Sequence, residues 1–155
     1  HTLEDFWEVV ETFRSYYPEM MITTDIITGF PGETDEDHYA TIELLHRLLP
    51  DLVNITRFSP RQGTPAARYK RLNGKIVKNR SRELTILRKD LGAKSFKRFV
   101  GRKTSVLAVE NQRKGSTLCR DSNYRPIIVK KELALGEFYD VEIIDSEYAF
   151  LTAIL

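Results

Sequence analysis

The chain has 155 residues, is 41% hydrophobic, carries a formal net charge of +2 and contains one cysteine. A length of this order buries a real core in one or two small domains, and a single thiol excludes any disulfide within the chain, which fits a reducing compartment. No apolar run approaches ~18 residues and no signal-peptide pattern occurs, so the composition excludes a membrane-spanning helix and points to a soluble, cytoplasmic protein. The chain opens at His1 without Met and therefore reads as a piece of something longer.

Thr2, followed three positions later by Asp5, resembles a capping box, and Phe6, Val9, Val10, Phe13 and Tyr17 recur at helical spacing until Pro18. Met20 to Ile27 is an apolar and β-branched run interrupted by Thr23, Thr24 and Asp25, which predicts a strand covered on both faces. The run breaks at Gly29 and turns through Phe30, Pro31 and Gly32. Thr34 then caps a second helix whose first turn holds Asp35, Glu36 and Asp37 against the dipole, with Tyr39, Ile42, Leu45 and Leu49 on one face. Pro50 ends it, and DLVNITRF at 51–58 predicts a second strand, a parallel neighbour of the first by right-handed crossover. Such corners, at the carboxyl ends of parallel strands, are where ligands sit. Two strands with their helices cannot close a parallel sheet, so the segment reads as the last third of a larger α/β barrel.

A basic helix follows over 75–100, with Val77, Leu84, Leu87, Leu91 and Phe99 as a sparse apolar stripe, closed by Gly101. The charges are segregated. Residues 1–60 hold 3 Lys/Arg against 12 Asp/Glu, residues 61–103 hold 15 against 2, and residues 104–155 hold 6 against 8. A block at +13 with interleaved Tyr69, Phe96 and Phe99 suits a polyanion, whereas solubility alone does not require separated signs. From Lys103 the pattern changes to five short runs, KTSVLAVE, GSTLCRD, YRPIIVKK, GEFYDVEII and YAFLTAIL, divided by turn signals. Their spacing predicts a small, closed or nearly closed five-stranded OB-like β-barrel, a shape that often binds nucleic acid.

TDIITGFPGET at 24–34, FSPRQGTPAA at 58–67 and the terminal barrel, in that order, resemble the C-terminal part of the MiaB-like tRNA methylthiotransferases, with NYRPIIV at 123–129 closest to the archaeal and eukaryotic threonylcarbamoyladenosine branch. The resemblance covers essentially the whole chain. It implies an α/β plus all-β fold, with residues 1–100 ending a radical SAM (β/α) partial barrel and residues 101–155 forming a TRAM RNA-binding β-barrel. It implies a transferase that converts N6-threonylcarbamoyladenosine beside the anticodon to its 2-methylthio form, with S-adenosyl-L-methionine and two [4Fe-4S] clusters as cofactors, a reductant, and the tRNA anticodon stem-loop as partner. Cluster chemistry needs several thiolates, and Cys119 is the one cysteine, expected as a buried apolar residue in the barrel. No catalytic residue and no metal ligand is therefore expected in this chain.

Carried over residue by residue, the resemblance makes Ile27 and Gly29 part of a wall beside the cofactor adenine, with Phe30 and Pro31 shaping the turn. Gly29 and Gly32 have a second reading as plain turn residues, and Glu33 as an acid complementing the helix dipole. Phe58 can pack on the cofactor. Arg57 and Arg61 can meet its carboxylate, a tRNA phosphate, or the acidic first half of the chain. RNA contacts are expected from Arg113, Lys114, Arg120, Tyr124, Arg125 and Lys130 in the barrel, extended by Lys94, Lys97, Arg98, Arg102 and Lys103. His38 and His46 lack metal-site spacing and read as surface or half-buried residues. The rival readings are a stand-alone RNA-binding module without catalysis, and a related methylthiotransferase acting on isopentenyladenosine or on ribosomal protein.

Overall fold

The computed structural model describes residues 2–112 and 115–155. Among them the order is α1 (Leu3–Tyr16), β1 (Thr23–Thr28), α2 (Asp35–Leu48), β2 (Leu52–Arg57), a 3₁₀ turn (Pro65–Arg68), α3 (Gly74–Lys97), β3 (Lys103–Gln112), β4 (Ser116–Arg120), β5 (Pro126–Val129), β6 (Phe138–Ser146) and β7 (Leu151–Ile154). None of the helices is long and apolar enough to cross a membrane.

Local chemistry sets both early helix starts. The Thr2 and Thr34 hydroxyls accept from the backbone N–H of Asp5 and Asp37, and each aspartate accepts the threonine N–H in return. The end of α2 differs from the expected face. Leu49 adopts a left-handed backbone with φ 47, which leaves its side chain exposed, and Leu48 is buried beside Leu45 and His38. Tyr39 is likewise exposed.

β1 and β2 pair in parallel, Ile26 opposite Ile55 and Ile27 opposite Thr56. On one face Ile26, Val53 and Ile55 pack with Leu45 of α2 and with Leu84 and Leu91 of α3. The other face exposes Asp25, Ile27, Asn54 and Thr56, and the Asn54 amide donates to Asp25 across the strands at 2.8 Å. The expectation of a strand covered on both faces is thus corrected. Thr23 and Asp25, which looked like interruptions of an apolar run, belong to the polar side of a period-two pattern.

The five runs after Lys103 become five strands, closed into a barrel in the order β3-β4-β5-β7-β6. All neighbours are antiparallel except β5 and β7, which run parallel. Register shifts at Val109 and Ile144 let the two long strands bend around the core. That core holds Val106, Cys119, Ile127, Val141, Ile143 and Leu151, and it also takes in Phe96 and Phe99 from the end of α3. The hydrophobic interior therefore runs across the boundary expected near residue 100. Burial pushes the Cys119 thiol up from its ordinary pKa.

α3 also meets the β6–β7 turn directly. A Cβ added at Gly92 would lie 2.1 Å from the Tyr148 carbonyl oxygen, and Arg88 and Lys89 lie over the Tyr148 ring at 5.7 and 5.4 Å. In an unpacked helix Gly→Ala stabilises by about 0.5–1 kcal/mol. Here Gly92→Ala is expected to destabilise by about 1–3 kcal/mol through overpacking, read as a lower midpoint in urea denaturation. A raised midpoint would show that α3 is not held against this turn.

Candidate functional site

The carboxyl ends of β1 and β2 open onto a cleft of about 410 Å³ whose lining includes Ile27, Thr56, Arg57, Phe58, Arg61 and Thr64. Three of the residues expected at a cofactor wall, Ile27, Phe58 and Arg61, thus come together, and Ile27 is 60% exposed there. Phe30 meets Phe58 edge to face, with ring centroids 5.1 Å apart. Arg57 and Arg61 are both exposed at the cleft. Pro31 is buried. Gly29 has φ +82, and a Cβ there would come within 2.6 Å of Cγ1 of Val77 on α3. The space beside Gly29 is filled by the helix, so its missing side chain serves helix packing.

Glu33 does more than complement a dipole. One carboxylate oxygen accepts the Gly29 N–H at 2.7 Å, and the other accepts from Arg80 Nη1 at 2.5 Å. Arg80 also donates to the Glu33 carbonyl at 3.2 Å and, through Nη2, to Asp35 at 2.6 Å. Burial acts to lower the Arg80 pKa, but the hydrogen bonds and charges of Asp35 and Glu33 outweigh it and hold the guanidinium above the ordinary arginine value. Arg80 was not singled out from the sequence, although a signal existed. Val77, Arg80, Leu84, Leu87 and Leu91 alternate by three and four, which places the arginine on the inward stripe.

The basic residues divide by chemistry. Lys94 and Lys97 on α3 and Lys130 after β5 are exposed, Lys94 pairing with Asp90 one turn back at 2.7 Å. Arg98 is half exposed and paired at 3.4 Å with buried Asp51, which also accepts from Ile22 N–H and Ser95 Oγ. Arg102 pairs with Glu19 at 2.8 Å, and Lys103 stands 4.0 Å from Glu142. Arg102 is the largest cause holding the Glu19 carboxyl below its usual range. Arg120 donates to the Tyr124 carbonyl at 3.0 Å and lies 4.6 Å over its ring. Arg113 and Lys114 lie outside the described residues.

Arg125 departs from the expected RNA contact. It is 2% exposed, paired with Asp121 at 2.9 Å, stacked 4.1 Å over Phe99, and donates to the Glu19 carbonyl. A guanidinium so enclosed is a structural tie between the barrel and the segment before β1, with no face left for a phosphate. His38, expected as a surface or half-buried residue, is buried and bonds Glu83 of α3 at 2.9 Å. Among the described residues no group of three or more His, Cys, Asp or Glu is arranged to hold a metal ion.

Removing one member of a buried pair leaves the other charge uncompensated. Arg80→Ala is therefore expected to destabilise by about 3–5 kcal/mol in urea denaturation, and the double variant Arg80→Met with Glu33→Gln to recover much of that loss. A single-variant loss well under 1 kcal/mol would remove the pair from its role at the corner.

No family model matches the chain. Over 151 residues, 97% of its length, it is 46% identical to a protein of Archaeoglobus fulgidus named probable threonylcarbamoyladenosine tRNA methylthiotransferase, covering 35% of that relative. It is 39% identical over 150 residues to the threonylcarbamoyladenosine tRNA methylthiotransferase MtaB of Thermotoga maritima, covering 92% of the chain and 33% of the relative. It is 36% identical over 151 residues to a tRNA-2-methylthio-N(6)-dimethylallyladenosine synthase of Magnetococcus marinus, covering 94% and 34%. The chain spans about a third of the length of the curated relatives it matches. Matched over 92% or more of its length by each of these relatives, the chain belongs to the tRNA methylthiotransferase family.

Proposed function

We propose that the chain is part of a radical S-adenosylmethionine tRNA methylthiotransferase that converts N6-threonylcarbamoyladenosine next to the anticodon to its 2-methylthio derivative. In this reading residues 1–100 end the radical SAM (β/α) barrel and residues 101–155 are a TRAM domain. The enzyme acts in the cytoplasm on the anticodon stem-loop and draws on a reductant. The observation that carries the reading is the open, polar face of β1 and β2, with Asp25, Asn54 and Thr56, ending in a cleft at the strands' carboxyl ends. Helices back this pair of strands on one face only, and in α/β barrels ligands sit at the carboxyl ends of the strands, where the cleft lies.

The residues at the cleft fit S-adenosylmethionine. Ile27 and Phe58 offer apolar surface to an adenine and shield it from water, Phe30 braces Phe58 through their edge-to-face contact, and the Arg61 guanidinium suits a carboxylate. Bound there, one molecule of S-adenosylmethionine would supply the 5′-deoxyadenosyl group, and a second molecule would supply the methyl. Glu33 and Arg80 act through the backbone at Gly29, holding the corner in position. The residues do not fit an iron–sulfur cluster, because each cluster requires several thiolates and Cys119 is a single thiol sealed in the barrel core. Lys94, Lys97 and Lys130 supply exposed positive charge for phosphates.

The similarity to a dimethylallyladenosine synthase favours isopentenyladenosine as the second substrate reading. The full-length, cluster-reconstituted protein is expected to form a 2-methylthio nucleoside, detected by mass spectrometry, on tRNA carrying threonylcarbamoyladenosine and not on tRNA lacking it. Product on isopentenyladenosine alone would select the second reading, and no thiomethylated product on either would overturn both. Lys94→Gln with Lys97→Gln is expected to weaken tRNA binding and to lower the slope of log affinity against log salt by about 1 to 2. An unchanged slope would assign these lysines to solubility.

A further inference from the structure

On the outside of the barrel one rung crosses three strands, since Leu107 of β3 stands opposite Arg120 of β4 and opposite Phe138 of β6. Phe138 and Tyr124 are each 71% exposed. With Leu107, Val109 and Arg120 they edge a groove of about 420 Å³. Phe138 shares its side of β6 with Asp140 and Glu142, the polar side of an alternating strand. An aromatic ring in that position contributes nothing to the core and faces whatever approaches the barrel.

Tyr124 is held in place with unusual firmness. Its φ is 66, a conformation that side chains rarely adopt. Its N–H donates to the Asp121 carbonyl at 2.9 Å, and the Asp121 carboxylate accepts the Asn123 and Arg125 N–H groups at 3.0 and 2.8 Å. The buried Arg125 guanidinium completes the network by pairing with the same carboxylate. The ion pair that removes Arg125 from the surface thus fixes Tyr124 on it, with Arg120 stacked above the ring.

We infer that this groove seats one unpaired RNA base, stacked against Phe138 and Tyr124, with Arg120 meeting its phosphate and the Ser105 and Ser122 hydroxyls at the rim facing the base edges. The inference rests on the tRNA-binding reading above and deepens it to a single-nucleotide site. A nucleotide supplies both things the groove lacks: a flat π-face for two exposed aromatic rings, and an anion for the one charged lining group besides the Asp121 already paired with Arg125. A base inside a duplex keeps its faces covered by its neighbours, so the occupant is a loop or single-stranded nucleotide.

The test uses the full-length protein and two RNA probes, a stem-loop with 2-aminopurine at an unpaired loop position and the same stem as a blunt duplex. Wild type is expected to quench the loop probe. Phe138→Ala and Tyr124→Asn, the latter keeping a residue that tolerates positive φ, are expected to weaken loop binding by about tenfold to a hundredfold. Their salt slope and duplex binding should match wild type, and Phe138→Tyr should restore most of the loop affinity. Loop affinity unchanged in both variants would overturn the groove while leaving tRNA binding intact, whereas wild type that binds neither probe would overturn both readings. Variants that change self-association in sedimentation but not loop binding would reassign the groove to a protein contact and overturn the inference.

Discussion

Arg80 is a cation almost without access to water, and the corner between β1 and α2 keeps its form because Glu33 and Asp35 meet that cation there. Glu33 links the backbone at Gly29 to α3, and Val77, one helical turn before Arg80, fills the space that Gly29 leaves open. The cleft beside Ile27 and Phe58 is thereby referenced to a helix and not to a free loop. Loops carrying functional groups are useful when a rigid element positions them, and here the rigid element is α3.

The same helix organises the rest of the chain. Its middle lays Leu84 and Leu91 on the parallel strands, its Gly92 lets the β6–β7 turn come into backbone contact, and Phe96 and Phe99 close the core of the barrel. Arg80, Arg88 and Arg98 reach inward to Glu33, the Val53 carbonyl and Asp51, while Lys94 and Lys97 remain exposed. Planar guanidinium groups hydrogen-bond several partners at once and are more weakly hydrated than ammonium groups, which suits them to the inner side. Part of what looks like one basic surface in the charge count is therefore internal structure.

Much of the architecture was legible because it rests on local signals. Both capping boxes, the parallel strand pair and the five barrel strands follow from Thr-x-x-Asp spacing, crossover length and alternation around turn residues. The site was legible only where position along a strand decides exposure, as for Ile27 and Phe58. Pairings distant in sequence were not, because nothing near Arg80 announces Glu33, and nothing near Arg125 announces that its guanidinium turns inward to Phe99 and the Glu19 carbonyl. Phe138 was missed for a different reason. It alternates with Asp140 and Glu142 on the polar side of β6, but alternation alone does not bring a lone exposed aromatic together with Tyr124 and Arg120, which lie on other segments.

The two sheets differ in how they end. The barrel is closed, so each of its five strands has a partner on both sides. Among the described residues β1 and β2 pair only with each other, which leaves each an outer edge without a strand beside it. Open edges invite strand addition from other chains, and the charged and amide side chains of Asp25 and Asn54 on the exposed face oppose it by making a flat apolar ribbon impossible. In the larger barrel proposed for residues 1–100, those two edges are the places where neighbouring strands would pair.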